Sequence, residues 1–138
     1  MPPPISDSNL RLLERTATHV ASKAYAPYSK FRVGAAILCN SGRMYSGCNV
    51  ENASYGLCNC AERSAIFAAI SAGETTIEAV VVYTPTQTAT SPCGACRQVI
   101  NEFGADAIVI SICDTTDRIQ TTLPELLPRA FGPKCLGH

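Results

Sequence analysis

The chain has 138 residues, 46% of them hydrophobic, and its 11 Lys and Arg balance its 11 Asp and Glu, so the formal net charge is zero. That length suits one domain, spanning 1–138, that hides roughly two-thirds of its unfolded surface. Charge balance without a basic stripe argues against a nucleic-acid partner, and no run is long or apolar enough for a membrane span.

The N-terminal "MPPPISDSNL" has no basic start and no apolar stretch, so it is not a secretory signal and the cytosol is the expected compartment. Eight cysteines in such a chain read as buried thiols, metal ligands or nucleophiles rather than disulfides. Pro2 to Ser8 reads as a loose leader, with cap candidates from Ser6 to Asn9. From Leu10, apolar or small residues recur at Leu13, Ala17, Val20, Ala21 and Ala24, the spacing of an amphipathic helix. "YAPYSKF" breaks it. "RVGAAILC" (32–39) and "MYSGCNV" (44–50) form a hairpin around "NSGR", the first strand carrying small residues where a helix can pack closely.

The loop "ENASYGLCN" leads into a mostly apolar helix that begins "CAERSAIFAAI". "IEAVVVY" (77–83) and "AIVISIC" (107–113) are β-branched runs that read as buried strands. Between them "CGACRQVINEF" is a helix with Cys96, Val99, Ile100 and Phe103 on one face. "IQT" reads as a short edge strand. Thr122 and Glu125 bracket Pro124 in a capping-box pattern that opens a last short helix before Pro128. The order predicts an α/β fold, one mixed sheet with helices on both faces.

Two stretches carry chemistry. Cys60 and Cys93 each stand where a helix starts, and Cys96 lies one turn after Cys93. Helix N-termini favour the thiolate that a metal requires. Three thiolates from two helix starts leave one tetrahedral position open, as a catalytic zinc needs. Glu62 alone would be an ordinary first-turn acid placed at the positive end of a helix dipole. Two residues after Cys60, it can instead lean over the open position, take a proton from water activated there and return it to a substrate nitrogen. The joint pattern, Cys60-Ala61-Glu62 with Pro92-Cys93-Gly94-Ala95-Cys96, is that of zinc deaminases. Arg63 and Arg97 flank the ligands and are candidate donors to sulfur.

From "YAPYSKFRVGAA" through "CNVENASY", "CAERSAI" and "SPCGACRQVINEF" to "ELLPRAFGP", the chain resembles the small homotetrameric zinc-dependent cytidine deaminases. The resemblance implies a three-layer α/β/α sandwich with a mixed five-stranded sheet. It implies hydrolysis of cytidine and deoxycytidine to the uridines plus ammonia in pyrimidine salvage, with a zinc ion in each chain. By the same resemblance Cys60, Cys93 and Cys96 bind zinc and Glu62 shuttles the proton. Asn49 and Glu51 hold the ribose, Phe31 flanks the nucleoside, the Ala61 amide meets the pyrimidine carbonyl and the Ser91 carbonyl meets the amino group. Phe131 and the loop around Tyr55 complete a neighbouring subunit's site.

Cys58 adds a thiol next to the motif. It leaves open a different class, a small interaction module with a purely structural zinc that Cys58 closes as fourth ligand. A blasticidin-type deaminase shares the zinc motif, but "NVEN" favours the plain nucleoside. Cys39 and Cys113 end apolar strands and read as core thiols, while His19 and His138 read as surface or packing residues.

Overall fold

A computed structural model describes residues 5–138. Residues 1–4, the start of the expected leader, lie outside the described residues. The remainder of that leader is already ordered structure. Helix α1 spans Asp7–Ala21, three residues earlier than the apolar spacing marks, because Ser6 caps it by accepting from the Asn9 amide at 3.2 Å.

The strands are β1 (Gly34–Cys39), β2 (Met44–Cys48), β3 (Ile77–Tyr83), β4 (Ile108–Ile112) and β5 (Arg118–Thr122). They form one sheet in the order β2-β1-β3-β4-β5. Only β3 and β4 run parallel, and α3 (Gly94–Phe103) lies between them in sequence. The hairpin β1–β2 pairs Gly34 with Cys48 through Leu38 with Met44. The expected edge strand at "IQT" is β5.

Side chains alternate across a strand, so β1 feeds two cores. Ala36 and Leu38 meet Leu13 and Ala17 of α1, together with Val81 and Ile110. Ala35, Ile37 and Cys39 meet Ala65, Ile66 and Ala69 of α2 (Ala61–Ser71), together with Val80, Val82 and Ile100. The sheet is thus sandwiched between α1 and the pair α2 and α3, giving the expected three layers. Among the expected core thiols Cys39 is fully buried, but Cys113 is half-buried and bonds into the following turn through the Asp117 carbonyl at 3.3 Å.

At the C-terminal end, α4 is Leu123–Leu126 with Thr122 as its N-cap. The expected capping box does not form: Thr122 makes no bond to the helix backbone, and Glu125 accepts instead from the hydroxyls of Thr121 at 3.1 Å and Thr122 at 3.4 Å. The two Glu125 oxygens are engaged by these neighbouring hydroxyls instead of the helix backbone.

The small residues noted in β1 have a physical reason. A Cβ on Gly34 would stand 1.9 Å from the Ala17 carbonyl oxygen, and one on Gly47 would stand 2.5 Å from the Ala65 amide nitrogen. Both helices therefore touch the β1–β2 hairpin backbone to backbone. Gly34→Ala is expected to cost about 1–3 kcal/mol by overpacking, whereas Gly56→Ala, which enters open space, is nearly neutral. Urea unfolding of the two variants compares them directly; equal midpoints would contradict the close approach.

Candidate active site

Cys60 is the N-cap of α2 and Cys93 the N-cap of α3, while Cys96 lies in the first turn of α3. Close packing of the two helices on one face of the sheet brings their starts together. The three sulfurs lie within 4.8 Å of one another, with Cys60 and Cys93 4.0 Å apart. Zinc at about 2.3 Å from each tetrahedral sulfur needs sulfurs about 3.8 Å apart, so this donor set fits zinc with little adjustment. The Cys96 amide also donates to Cys93 Sγ at 3.5 Å.

The charge of the trio is uneven. Hydrogen bonding from Cys96, reinforced by the Arg63 guanidinium, pulls the Cys60 thiol down to about 5. Arg63 Nη2 lies 3.1 Å from Cys60 Sγ. The Cys96 thiol is pushed up by its bond to Cys60, by burial and by Glu62. Cys60 thus favours its thiolate form, the form in which cysteines bind a metal. Arg63 is the sulfur donor expected from the sequence. Arg97 is not: its Nε donates to the Pro92 carbonyl at 2.8 Å and its Nη1 to the Leu126 carbonyl at 2.9 Å. It leaves α3 on the side of the C-terminal segment and ties that segment to the Pro92 turn.

Glu62 is 5% exposed, the only buried acidic residue among the described residues, and no salt bridge reaches it. Burial, with the Cys60 charge adding, raises its carboxyl above the usual range, against lowering by its own backbone amide and Arg63. A glutamate kept only for the helix dipole would sit in solvent, since burying an unpaired carboxylate is costly.

Beside the trio opens a cleft of about 260 Å³. Of the residues expected from the sequence, Phe31, Asn49, Glu51, Cys60, Ala61, Glu62, Ser91 and Cys93 line it. Cys96 lies behind it, fully buried. Tyr55 and Phe131 do not line it; they stand 73% and 59% exposed. Tyr55 packs edge-on to Tyr28, their ring centres 6.0 Å apart, and both line a neighbouring hollow. The Phe131 carbonyl accepts from Gln98 and Asn101 of α3.

Sequence reasoning missed Val33, Asn59, Val82, Thr84 and Thr90, which also line the cleft. Val82 and Thr84 had a signal: they stand at the C-terminal end of β3, beside its parallel partner, where α/β sheets place ligands. Besides lining the cleft, Asn49 and Glu51 bond to distant backbone. Asn49 Oδ1 accepts from the Val33 amide at 2.8 Å and its Nδ2 donates to the Phe31 carbonyl at 2.7 Å. Glu51 Oε1 accepts from the amides of Tyr28 at 3.0 Å and Ser29 at 3.1 Å. Both residues anchor the segment that carries Phe31.

Cys58 lines the same cleft but lies outside the trio. Its sulfur accepts from the Asn52 amide at 3.3 Å and donates to the Asn52 carbonyl at 3.7 Å, and the metal-holding group among the described residues comprises Cys60, Cys93 and Cys96. Cys60 and Cys93 line the cleft, so a zinc held by the trio would be reachable from it, as a catalytic zinc site requires.

Fold and site together define a zinc-binding deaminase. The family model for the cytidine and deoxycytidylate deaminase zinc-binding region matches residues 7–112. Cytidine deaminase of Sporosarcina psychrophila is 46% identical over 117 residues, 84% of this chain and 86% of that protein. Cytidine deaminase of Mycobacterium tuberculosis is 42% identical over 126 residues, 91% and 92% of the two chains. The crystal structure of cytidine deaminase from Burkholderia pseudomallei is similar at a TM-score of 0.85 and 45% identity, covering 92% of this chain and all of that one. The chain belongs to the cytidine deaminase family.

Zinc analysis of purified variants separates the two candidate ligand assignments. Cys58→Ser is expected to keep its zinc and Cys60→Ser to lose it. The opposite pattern would return the site to the structural-zinc reading.

Proposed function

We propose that this chain, as one deaminase domain over residues 1–138, hydrolyses cytidine and 2′-deoxycytidine to uridine and 2′-deoxyuridine, releasing ammonia. The single observation that carries this reading is Glu62: a buried carboxylate outside any salt bridge among the described residues, its pKa raised, two residues after a cysteine of a three-thiol cluster and lining the cleft. A carboxyl held above the usual carboxylate range is a better proton carrier than an exposed one, suited both to take and to give a proton.

Cys60, Cys93 and Cys96 hold the zinc, which when bound supplies Lewis acidity that readies a water for attack. The remaining work falls to the chain. Glu62 takes one proton from the water and delivers it to N3 of the cytosine ring as the oxygen bonds to C4, then takes the second proton from that new hydroxyl and delivers it to the leaving amine. The oxygen of water thereby replaces the amino group at C4, and ammonia leaves. Arg63 offsets the thiolate charge through Cys60. The Ala61 amide at the start of α2 binds the pyrimidine carbonyl, the Ser91 carbonyl accepts from the amino group, and Phe31 covers the nucleoside. Asn49 and Glu51 bind the sugar hydroxyls with the donor and acceptor positions that their backbone anchoring leaves free.

The reading extends to a homotetramer in which Tyr55 and Phe131 reach into a neighbouring subunit's site. Their exposure as large aromatics supports this, with Leu57 70% exposed in the same loop as Tyr55. Pyrimidine salvage in the cytosol is the matching setting. No helix among the described residues is long and apolar enough to cross a membrane.

Glu62→Gln keeps the shape and removes the proton carrier. Zinc content should stay at the level of the unsubstituted chain while kcat falls by about 10²–10⁴-fold; near-normal turnover would remove Glu62 from the mechanism. Glu51 makes a second outcome specific. Its carboxylate accepts from a 3′-hydroxyl but repels a 3′-phosphate, so cytidine 3′-monophosphate and single-stranded DNA should be refused. Glu51→Gln should weaken cytidine turnover and narrow the gap to the 3′-monophosphate. Equal kcat/KM ratios in the two proteins would show that Glu51 is not the gate.

A further inference from the structure

Ser29 sits where the lip of the cleft turns back toward β1. Its hydroxyl donates to Glu51 Oε2 and accepts from the Phe31 amide at 3.0 Å. Its own amide, with that of Tyr28, donates to Glu51 Oε1. One small side chain thus joins the carboxylate on one wall of the cleft to the backbone of the aromatic residue on another. Lys30, between them, has φ +61°, a left-handed conformation uncommon for a residue with a side chain. Such a conformation persists where surrounding bonds over-determine it, and the bonds of Ser29 and Phe31 flank it on both sides.

A carboxylate offers about four lone-pair positions. Two on Oε1 are taken by the Tyr28 and Ser29 amides and one on Oε2 by the Ser29 hydroxyl. One position on Oε2 is left, enough for one hydroxyl donor. The Ser29 hydrogen bond, ahead of the two amides, also holds the Glu51 carboxyl below the usual carboxylate range, so it remains an acceptor.

We propose that Ser29 is a positioning residue for sugar recognition: its hydroxyl fixes Glu51 so that the one free acceptor position meets the 3′-hydroxyl of the nucleoside. The proposal rests on the reading that Glu51 receives that hydroxyl. Ser29 touches no reacting atom; it acts through Glu51, and through Phe31 it sets the facing wall in the same register.

The test compares kcat/KM for cytidine and 3′-deoxycytidine in the unsubstituted chain, Ser29→Ala and Ser29→Thr, each checked for zinc content. The unsubstituted enzyme should favour cytidine. Ser29→Ala should lose roughly tenfold with cytidine, as expected for a hydrogen bond to a charged group, and little with 3′-deoxycytidine, so the preference collapses. Ser29→Thr, which keeps the hydroxyl, should restore it. A merely structural role would lower both substrates equally, and that result would overturn the proposal while leaving the Glu51 reading intact. No preference in the unsubstituted enzyme would overturn the Glu51 reading and this proposal with it. If Ser29→Ala does not fold, Ser29→Cys, similar in size with a weak donor, gives the same ratio test, and a retained preference there also overturns the proposal.

Discussion

Three sulfurs have to meet at one point, and two helix starts have to be aimed to make them do so. That constraint organises the rest of the molecule. Helix α2 begins at Cys60 and α3 at Cys93, both on one face of the sheet. Their positions follow from close packing rather than from the metal. Gly47 lets α2 touch the hairpin backbone, and Ile66, Ala69 and Ile100 fill the layer beneath. On the opposite face Gly34 does the same for α1. Glu62 shares the face of α2 that Ala65, Ile66 and Ala69 bury, so the same packing holds its carboxylate out of solvent.

The electrostatics follow from the same geometry. Three thiolates around a divalent ion carry a net negative charge, which weakens the metal's pull on a bound water. Two helix N-termini and the Arg63 guanidinium at 3.1 Å from Cys60 oppose that charge. Arg97, equally close in sequence to a ligand, serves the chain differently. It fastens the Pro92 turn to the C-terminal segment through two carbonyls, and so holds the entry to α3 in place.

Much of this was legible in the sequence. The β-branched run 77–83 is β3 to the residue, and the spacing of Cys60, Glu62, Cys93 and Cys96 carried the site. What was not legible is work done between residues far apart in the chain. Asn49 bonds to backbone 16 and 18 residues away, and Glu51 to backbone 22 and 23 residues away. Nothing local marks such pairings, because they depend on how the hairpin returns beside the Tyr28–Val33 segment. Arg97 failed as a sulfur donor for the same reason, since its partner Leu126 lies 29 residues on. Local rules misled at the last helix as well, where the Thr122 and Glu125 pattern was present but side-chain bonds replaced the capping box. The exposed Tyr55 and Phe131 could be flagged from the family resemblance alone; within one chain neither lines the cleft beside the three sulfurs.

The central claim is that three thiols and one buried carboxylate make a zinc-dependent hydrolase of cytidine. The loss of cytidine's ultraviolet absorbance, followed with the purified chain before chelation, after chelation and after zinc is returned, tests it most directly. The account predicts steady loss, its abolition by the chelator and its recovery with zinc. Undiminished turnover in a chain shown to be free of zinc, or none in a chain shown to be loaded with it, would contradict it.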